Sequence, residues 1–161
     1  LKTKYKKMYM EMAETVSKMS HAKRLQVGAI VVKDNRVISI GYNGTPAGWD
    51  NECESKEWMP NGCLHLDHEY PEEAYSDYGY AVIGRYRLKT KPEVIHAEAN
   101  AIMKLASSSE SGNGATMFLT HAPCIDCSKM IYGAGIVKVF YQHEYRDSAG
   151  VDFLRKCGIY S

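Results

Sequence analysis

The chain of 161 residues carries 20 Lys and Arg against 19 Asp and Glu, a net charge of +1. That length suits one domain with a single core, which buries roughly two thirds of its unfolded surface without disulfide staples, and the charge balance excludes broad wrapping around a polyanion. No apolar run approaches the roughly 20 residues of a membrane span or forms a signal-peptide core, so a cytoplasmic location is expected, and five cysteines with one CxxC pair fit reduced thiols and metal better than a disulfide framework.

The sequence begins at Leu1 rather than Met, so further residues are expected before it. Residues 4–19 place Tyr5, Met8, Tyr9, Met12, Val16 and Met19 at helical spacing with Lys and Glu between them. This pattern predicts an amphipathic helix whose Met and Tyr stripe lies on the core. The early basic residues Lys2, Lys4, Lys6 and Lys7 are read as its solvated face. Residues 27–32 are a β-branched apolar run, and 36–42 alternate around Val37, Ile38 and Ile40. With Lys33-Asp34-Asn35 between them, they predict an antiparallel hairpin.

The hairpin leads into Gly41-Tyr42-Asn43-Gly44-Thr45-Pro46-Ala47-Gly48, with three glycines and a proline in eight residues. Such a loop can approach a ligand closely, although by itself it reads as an ordinary surface turn. Residues 49–95 are polar and Tyr-rich, with little periodicity before 80–83. They are read as a long insertion on one domain spanning 1–161, with short helices around 71–75. A helix is predicted from His96 to before Ser107, a strand over 116–120 and a helix over 124–132. A strand over 136–141 and a last helix over 147–157, ended by Gly158, complete the order. Strand–helix–strand succession implies parallel pairing. The expected architecture is α/β, with an antiparallel hairpin and parallel strands in one sheet and helices on both faces.

Two segments carry chemistry. Cys124 and Cys127 lie at i and i+3, which on a helix turns both thiols to one face. Pro123 precedes them, so they sit at a helix start, where the positive end of the helix favours thiolate. His96 also begins a helix, with Glu98 two residues on. One imidazole and two thiolates make three zinc ligands and leave a fourth position open, as a catalytic zinc requires. Glu98 is then a proton carrier for activated water rather than a ligand. Alone, the CxxC pair reads as a redox couple or half of a structural zinc site. The His-x-Glu upstream and the proline select the H-x-E…P-C-x-x-C signature of zinc-dependent nucleobase deaminases.

At these residues the chain resembles the cytidine deaminase superfamily, and within it the deoxycytidylate deaminases of phage type. The likeness runs through Val27-Gly28-Ala29, the Gly41-to-Gly48 loop, His96-Ala97-Glu98-Ala99-Asn100-Ala101 and Thr120-His121-Ala122-Pro123-Cys124-Ile125-Asp126-Cys127. It implies a three-layer α-β-α fold around a mixed five-stranded sheet, with zinc held by His96, Cys124 and Cys127. It implies hydrolysis of dCMP to dUMP and ammonia, feeding thymidine nucleotide synthesis, with Glu98 moving protons between water, N3 of cytosine and the leaving amino group. Asn43 would bind the sugar hydroxyl, Arg24 the phosphate, and Tyr145 would line the nucleotide site; read from the residues alone, Arg24 is a surface arginine and Tyr145 a packing residue. His121, where relatives usually carry an apolar or acidic residue, is read as a partly buried surface histidine, with a place facing the substrate as the alternative.

The resemblance further implies a homo-hexamer activated by dCTP and inhibited by dTTP, the effector carried with magnesium near the Gly41-to-Gly48 loop. It implies the host cytoplasm if the source is viral, and no membrane or nucleic-acid partner. The places where relatives hold a second, structural zinc are occupied here by Ala22 and Val94. The insertion offers Cys53, Cys63, His65 and His68, near His21, as a different candidate metal site. A dCTP or nucleoside deaminase, and a tRNA or single-stranded nucleic-acid deaminase, are the alternatives that share the zinc motif.

Overall fold

Asp34 and Asn35 adopt left-handed φ values of 49° and 59°, which two-residue hairpin turns demand and which Asp and Asn tolerate better than most residues. They join β1 (Gly28–Lys33) to β2 (Arg36–Tyr42) in antiparallel register, with Lys33 opposite Arg36 and Gly28 opposite Tyr42. The computed structural model describes residues 1–59, 70–75 and 81–159. The remaining elements are α1 (Thr3–Ser17), β3 (Glu54–Met59), β4 (Tyr70–Tyr75), β5 (Ala81–Thr90), α2 (Ala97–Ala106), β6 (Thr116–His121), α3 (Ile125–Gly133), β7 (Lys138–His143) and α4 (Ala149–Lys156).

The main sheet has the order β2-β1-β6-β7. β1 pairs antiparallel with both β2 and β6, and β6 pairs parallel with β7. Alternation along β1 divides the core. Ala29 and Val31 face α2, α3 and α4 with Met117, Leu119 and Val139, while Ile30 and Val32 face α1 with Phe118. Helices therefore cover both faces, as the sequence led us to expect. Each large apolar side chain buried this way contributes about 1.5–3 kcal/mol. On the α1 side, the Tyr9, Phe118 and Phe140 rings follow one another at 5.3 Å between centroids. The Tyr9 hydroxyl donates to the Asn35 carbonyl at 2.9 Å, locking the helix to the hairpin turn.

Three expectations are corrected. The buried stripe of α1 is Tyr9 and Ala13, flanked by Tyr5, Met10 and Val16. Met8 and Met12 are 41 % and 37 % exposed, because the Tyr5–Tyr9–Ala13 row at i, i+4, i+8 turns them to the flank, and Met19, 59 % exposed, lies beyond the end of the helix. The main sheet holds four strands among the described residues rather than five. The apolar stretch at 80–83 leads instead into β5, which pairs with β3 and β4 in a separate sheet of order β3-β5-β4. Residues 71–75, expected as helical, belong to β4. Its Pro71 sits on an edge strand, where the missing N–H breaks no inner ladder. No helix among the described residues is long and apolar enough to cross a membrane.

Candidate active site

His96 and Cys124 occupy equivalent places, each the N-cap of its helix with extended backbone (φ −68°, ψ 154° and φ −69°, ψ 169°). Cys127 lies three residues into α3. Two helix starts therefore converge. His96 Nδ1 is 3.6 Å from Cys124 Sγ and 3.4 Å from Cys127 Sγ, and the three ligand atoms all lie within 4.8 Å of one another. A tetrahedral zinc with bonds of about 2.3 Å to sulfur and about 2.0 Å to nitrogen sets N···S edges of about 3.6 Å. The donor set fits that ion in kind, in number and in spacing.

Close backbone approaches hold the two helices in place. Gly44 exchanges hydrogen bonds with Ile95, donating to its carbonyl at 3.1 Å and accepting from its amide at 2.8 Å, which pins the residue before His96 to the glycine-rich loop. Gly41 lets α2 lie directly on β2, since a Cβ there would sit 2.2 Å from the Ala97 carbonyl oxygen. Asn100 Nδ2 donates to the Tyr42 carbonyl at 3.0 Å and Ser39 Oγ to the Ala101 carbonyl at 2.8 Å, fixing the rotation of α2.

On the other side, Gly150 of α4 packs against the cysteine loop. A Cβ there would meet Pro123 O at 2.1 Å and Cys124 C at 2.7 Å, and backbone cannot swing aside as a flexible side chain can. Gly150→Ala must therefore displace α4 or the Cys124 segment. We expect a stability loss of about 1–3 kcal/mol or more and a weakened metal site, read by thermal unfolding and by bound zinc after dialysis.

The electrostatics of the cluster suit a metal. In the metal-free chain the hydrogen bond from Cys127, followed by that from His96, lowers the Cys124 thiol to about 4. Cys127 is raised correspondingly, first by Cys124 and then by burial, and His96 is raised, first by its bond to Cys124. Glu98 is only 4 % exposed. It lies in the first turn of α2, where the helix favours a carboxylate, yet burial outweighs that and the charge of His96 and lifts its carboxyl to about 7. A carboxyl poised at neutral pH can both take and return a proton.

These groups open on a cleft of about 630 Å³, in the usual range for a small ligand. Arg24, Asn43 and Tyr145, each expected at the site, line it with His96, Glu98 and Cys124. Asn43 is also a clamp: its Nδ2 donates to the Leu25 carbonyl and its Oδ1 accepts from the Val27 amide, both at 2.8 Å. One amide hydrogen and one lone pair remain for a ligand. His121 lines the same wall, its ring 5.0 Å from His143, and burial and that neighbour lower its pKa.

Lys89, Thr90, Glu54 and Arg146 also line the cleft, and sequence reasoning missed them. Arg146 could have been suspected from its place beside Tyr145, over whose ring its guanidinium carbon lies at 5.7 Å. Glu54, Lys89 and Thr90 had no local signal, because only the fold-back of the second sheet brings them there. Cys53, from the candidate second metal site, is buried at 1 % exposure with its thiol directed to the Asn51 carbonyl. Among the described residues it belongs to no metal-competent group of three. Cys63, His65 and His68 lie outside the described residues.

Comparison with known proteins agrees with this geometry. Residues 3–143 match the family model described as the cytidine and deoxycytidylate deaminase zinc-binding region. The chain is 36 % identical to the deoxycytidylate deaminase of Enterobacteria phage T4, the match covering 93 % of this chain and 84 % of that protein. It is 35 % identical to the deoxycytidylate deaminase of Mycobacterium phage D29, covering 84 % and 92 % respectively. Among solved structures it is similar to the dCMP deaminase of cyanophage S-TIM5 in complex with dCMP and dUMP. That likeness has a TM-score of 0.77 at 40 % identity, over 100 % of this chain and 98 % of the other.

Proposed function

Because this chain belongs to the family of cytidine and deoxycytidylate deaminases with a zinc-binding region, we propose that its cleft takes dCMP and converts it, with water, to dUMP and ammonia. The observation that carries this reading is the buried Glu98 carboxyl, held near neutral pKa beside the His96, Cys124 and Cys127 cluster. Relatives named deoxycytidylate deaminase, and a similar structure holding dCMP and dUMP, support the substrate.

His96, Cys124 and Cys127 are the residues that would hold zinc, which when bound supplies an acidified water as nucleophile. Glu98 removes a proton from that water and delivers one to N3 of cytosine, which makes C4 more electrophilic. It would then take the proton of the new C4 hydroxyl and pass it to the departing amino group, so that the C4–N bond breaks as the C4 carbonyl forms and ammonia leaves as a neutral molecule. The base must reach Glu98, and the 5′-phosphate must then lie toward the cations of the cleft wall. Arg24, Lys89 and Arg146 are the cations available there, and a phosphate is matched by guanidinium groups in particular. Asn43 offers its remaining amide hydrogen to the sugar hydroxyl, and Tyr145 supplies an aromatic wall.

The test is a panel. Zinc-loaded protein incubated with dCMP, dCTP, deoxycytidine and single-stranded oligonucleotide should release ammonia fastest from dCMP; preferential release from another member assigns the cleft to that substrate instead. Regulation by dCTP and dTTP with magnesium, in a hexamer, is supported only by the resemblance of the Gly41-to-Gly48 loop. Sedimentation and rate measurements with and without the two triphosphates test it. A cytoplasmic location, in an infected host, is in keeping with the phage relatives.

A further inference from the structure

Glu54 opens β3, the first strand of the second sheet, and lies opposite Thr90, the last residue of β5. Its Oε1 accepts two backbone hydrogens from a distant part of the chain, from Lys23 N at 2.9 Å and Arg24 N at 3.0 Å. Across the ladder, Thr90 Oγ1 accepts from Arg24 Nη1 at 3.2 Å. One facing pair therefore holds Arg24 at both ends, through its backbone and through its guanidinium. The neighbour Lys89 lines the same cleft.

The segment held this way has no regular structure of its own between α1 and β1. Its second half is fixed by Asn43, which brackets Leu25 and Val27, and Ser20 is tied to the Asn43 carbonyl at 2.7 Å. Between those anchors, the Glu54 bonds are what orient Lys23 and Arg24. An anion in the wall of a cleft for a phosphate opposes binding by itself. Here the carboxylate is directed at two backbone amides, and a hydrogen bond to a charged group is stronger than one between neutral partners.

We propose that Glu54 is a positioning residue which, through Arg24, sets the preference of the cleft for a nucleoside monophosphate over the free nucleoside. This rests on the dCMP reading above. The insertion at 49–95 then has a function: its sheet forms the phosphate end of the site and carries the clamp that aims an arginine from the main body.

The experiment compares wild type, Glu54→Ala and Glu54→Gln as zinc-loaded proteins on dCMP and on deoxycytidine. Glu54→Ala should raise KM for dCMP by about tenfold, the effect of roughly 1.4 kcal/mol, with kcat within about twofold and kcat/KM for deoxycytidine unchanged. Glu54→Gln keeps an acceptor oxygen for the two amides and should restore KM for dCMP to within about threefold of wild type. Equal losses on both substrates, a fall in kcat alone, or no change in Glu54→Ala would overturn the proposal. A wild-type protein indifferent to the phosphate overturns the dCMP reading and this role together. Hydrogen exchange at the Lys23 and Arg24 amides separates the two failures: slow in wild type and fast in Glu54→Ala means that the clamp exists but selects no phosphate.

Discussion

Glu98→Gln lowers turnover of dCMP by about 10²- to 10⁴-fold, the usual contribution of a positioned acid–base group, while zinc content stays at the wild-type level. Glutamine keeps the shape and can still hydrogen-bond, but it can neither take a proton from water nor return one to the base. KM changes little, because the lost interaction belongs to the transition state rather than to ground-state binding.

The same substitution has a second, independent signature in stability. The Glu98 carboxyl sits at about 7 in the folded chain against an ordinary value of 4.5, raised by burial. Its folded form thus binds the proton more tightly than the unfolded form. That stabilising contribution is fully present below pH 4.5 and is lost as pH rises through 7. At pH 8 the ionised, buried carboxylate costs up to about 3 kcal/mol, which an amide does not incur. Metal-free Glu98→Gln should therefore melt higher than metal-free wild type at pH 8 and equally at pH 4.5, as read by thermal scans at both values. Near-normal turnover would remove Glu98 from the proton path. Equal melting at pH 8 would contradict its buried, titrating state.

Cys127→Ala abolishes zinc retention and reduces dCMP turnover to background, and exhaustive chelation of the wild type does the same. Only two ligands remain in the variant, and its buried cluster loses the thiol that lies 3.4 Å from His96 Nδ1. Zinc that binds the folded state alone also stabilises it by mass action, so both treatments lower the melting temperature. The direction of the pH effect follows from the cluster. Hydrogen bonding within the cluster lowers the Cys124 thiol and raises Cys127 and His96, so the metal-free cluster favours protons that the three ligands must lose to bind a metal. Loading zinc must therefore expel at least one proton, and the apparent zinc Kd falls about tenfold per pH unit for each proton released. Zinc titrations at pH 6, 7 and 8 measure this, and a pH-independent Kd would contradict the protonation state of the cluster.

The clustering of the candidate site residues was legible in the sequence because their spacing is local. The i, i+3 spacing of Cys124 and Cys127 and the two-residue spacing of His96 and Glu98 translate directly into helix-start geometry, and both helices begin where those residues stand. The hairpin was legible for the same reason, since Asp34 and Asn35 suit its turn. The insertion was not. Its strands alternate weakly, and β3 pairs with β5 across a long sequence separation, Glu54 opposite Thr90, which no local pattern encodes. Glu54, Lys89 and Thr90 reach the cleft only through that pairing. Of the expected stripe, Tyr5, Tyr9 and Val16 do pack on the core, whereas Met8, Met12 and Met19 misled: their hydrophobicity matched a helical period, but Ala13 and Met10 complete the packing row.

The most direct measurement titrates zinc into metal-free protein and follows dUMP and ammonia formed from dCMP. The rate should rise in proportion to bound zinc, reach its plateau when the His96–Cys124–Cys127 site is filled, and yield dUMP and ammonia in equal amounts. Turnover by the metal-free protein, or a zinc-saturated protein that forms no dUMP, would contradict it.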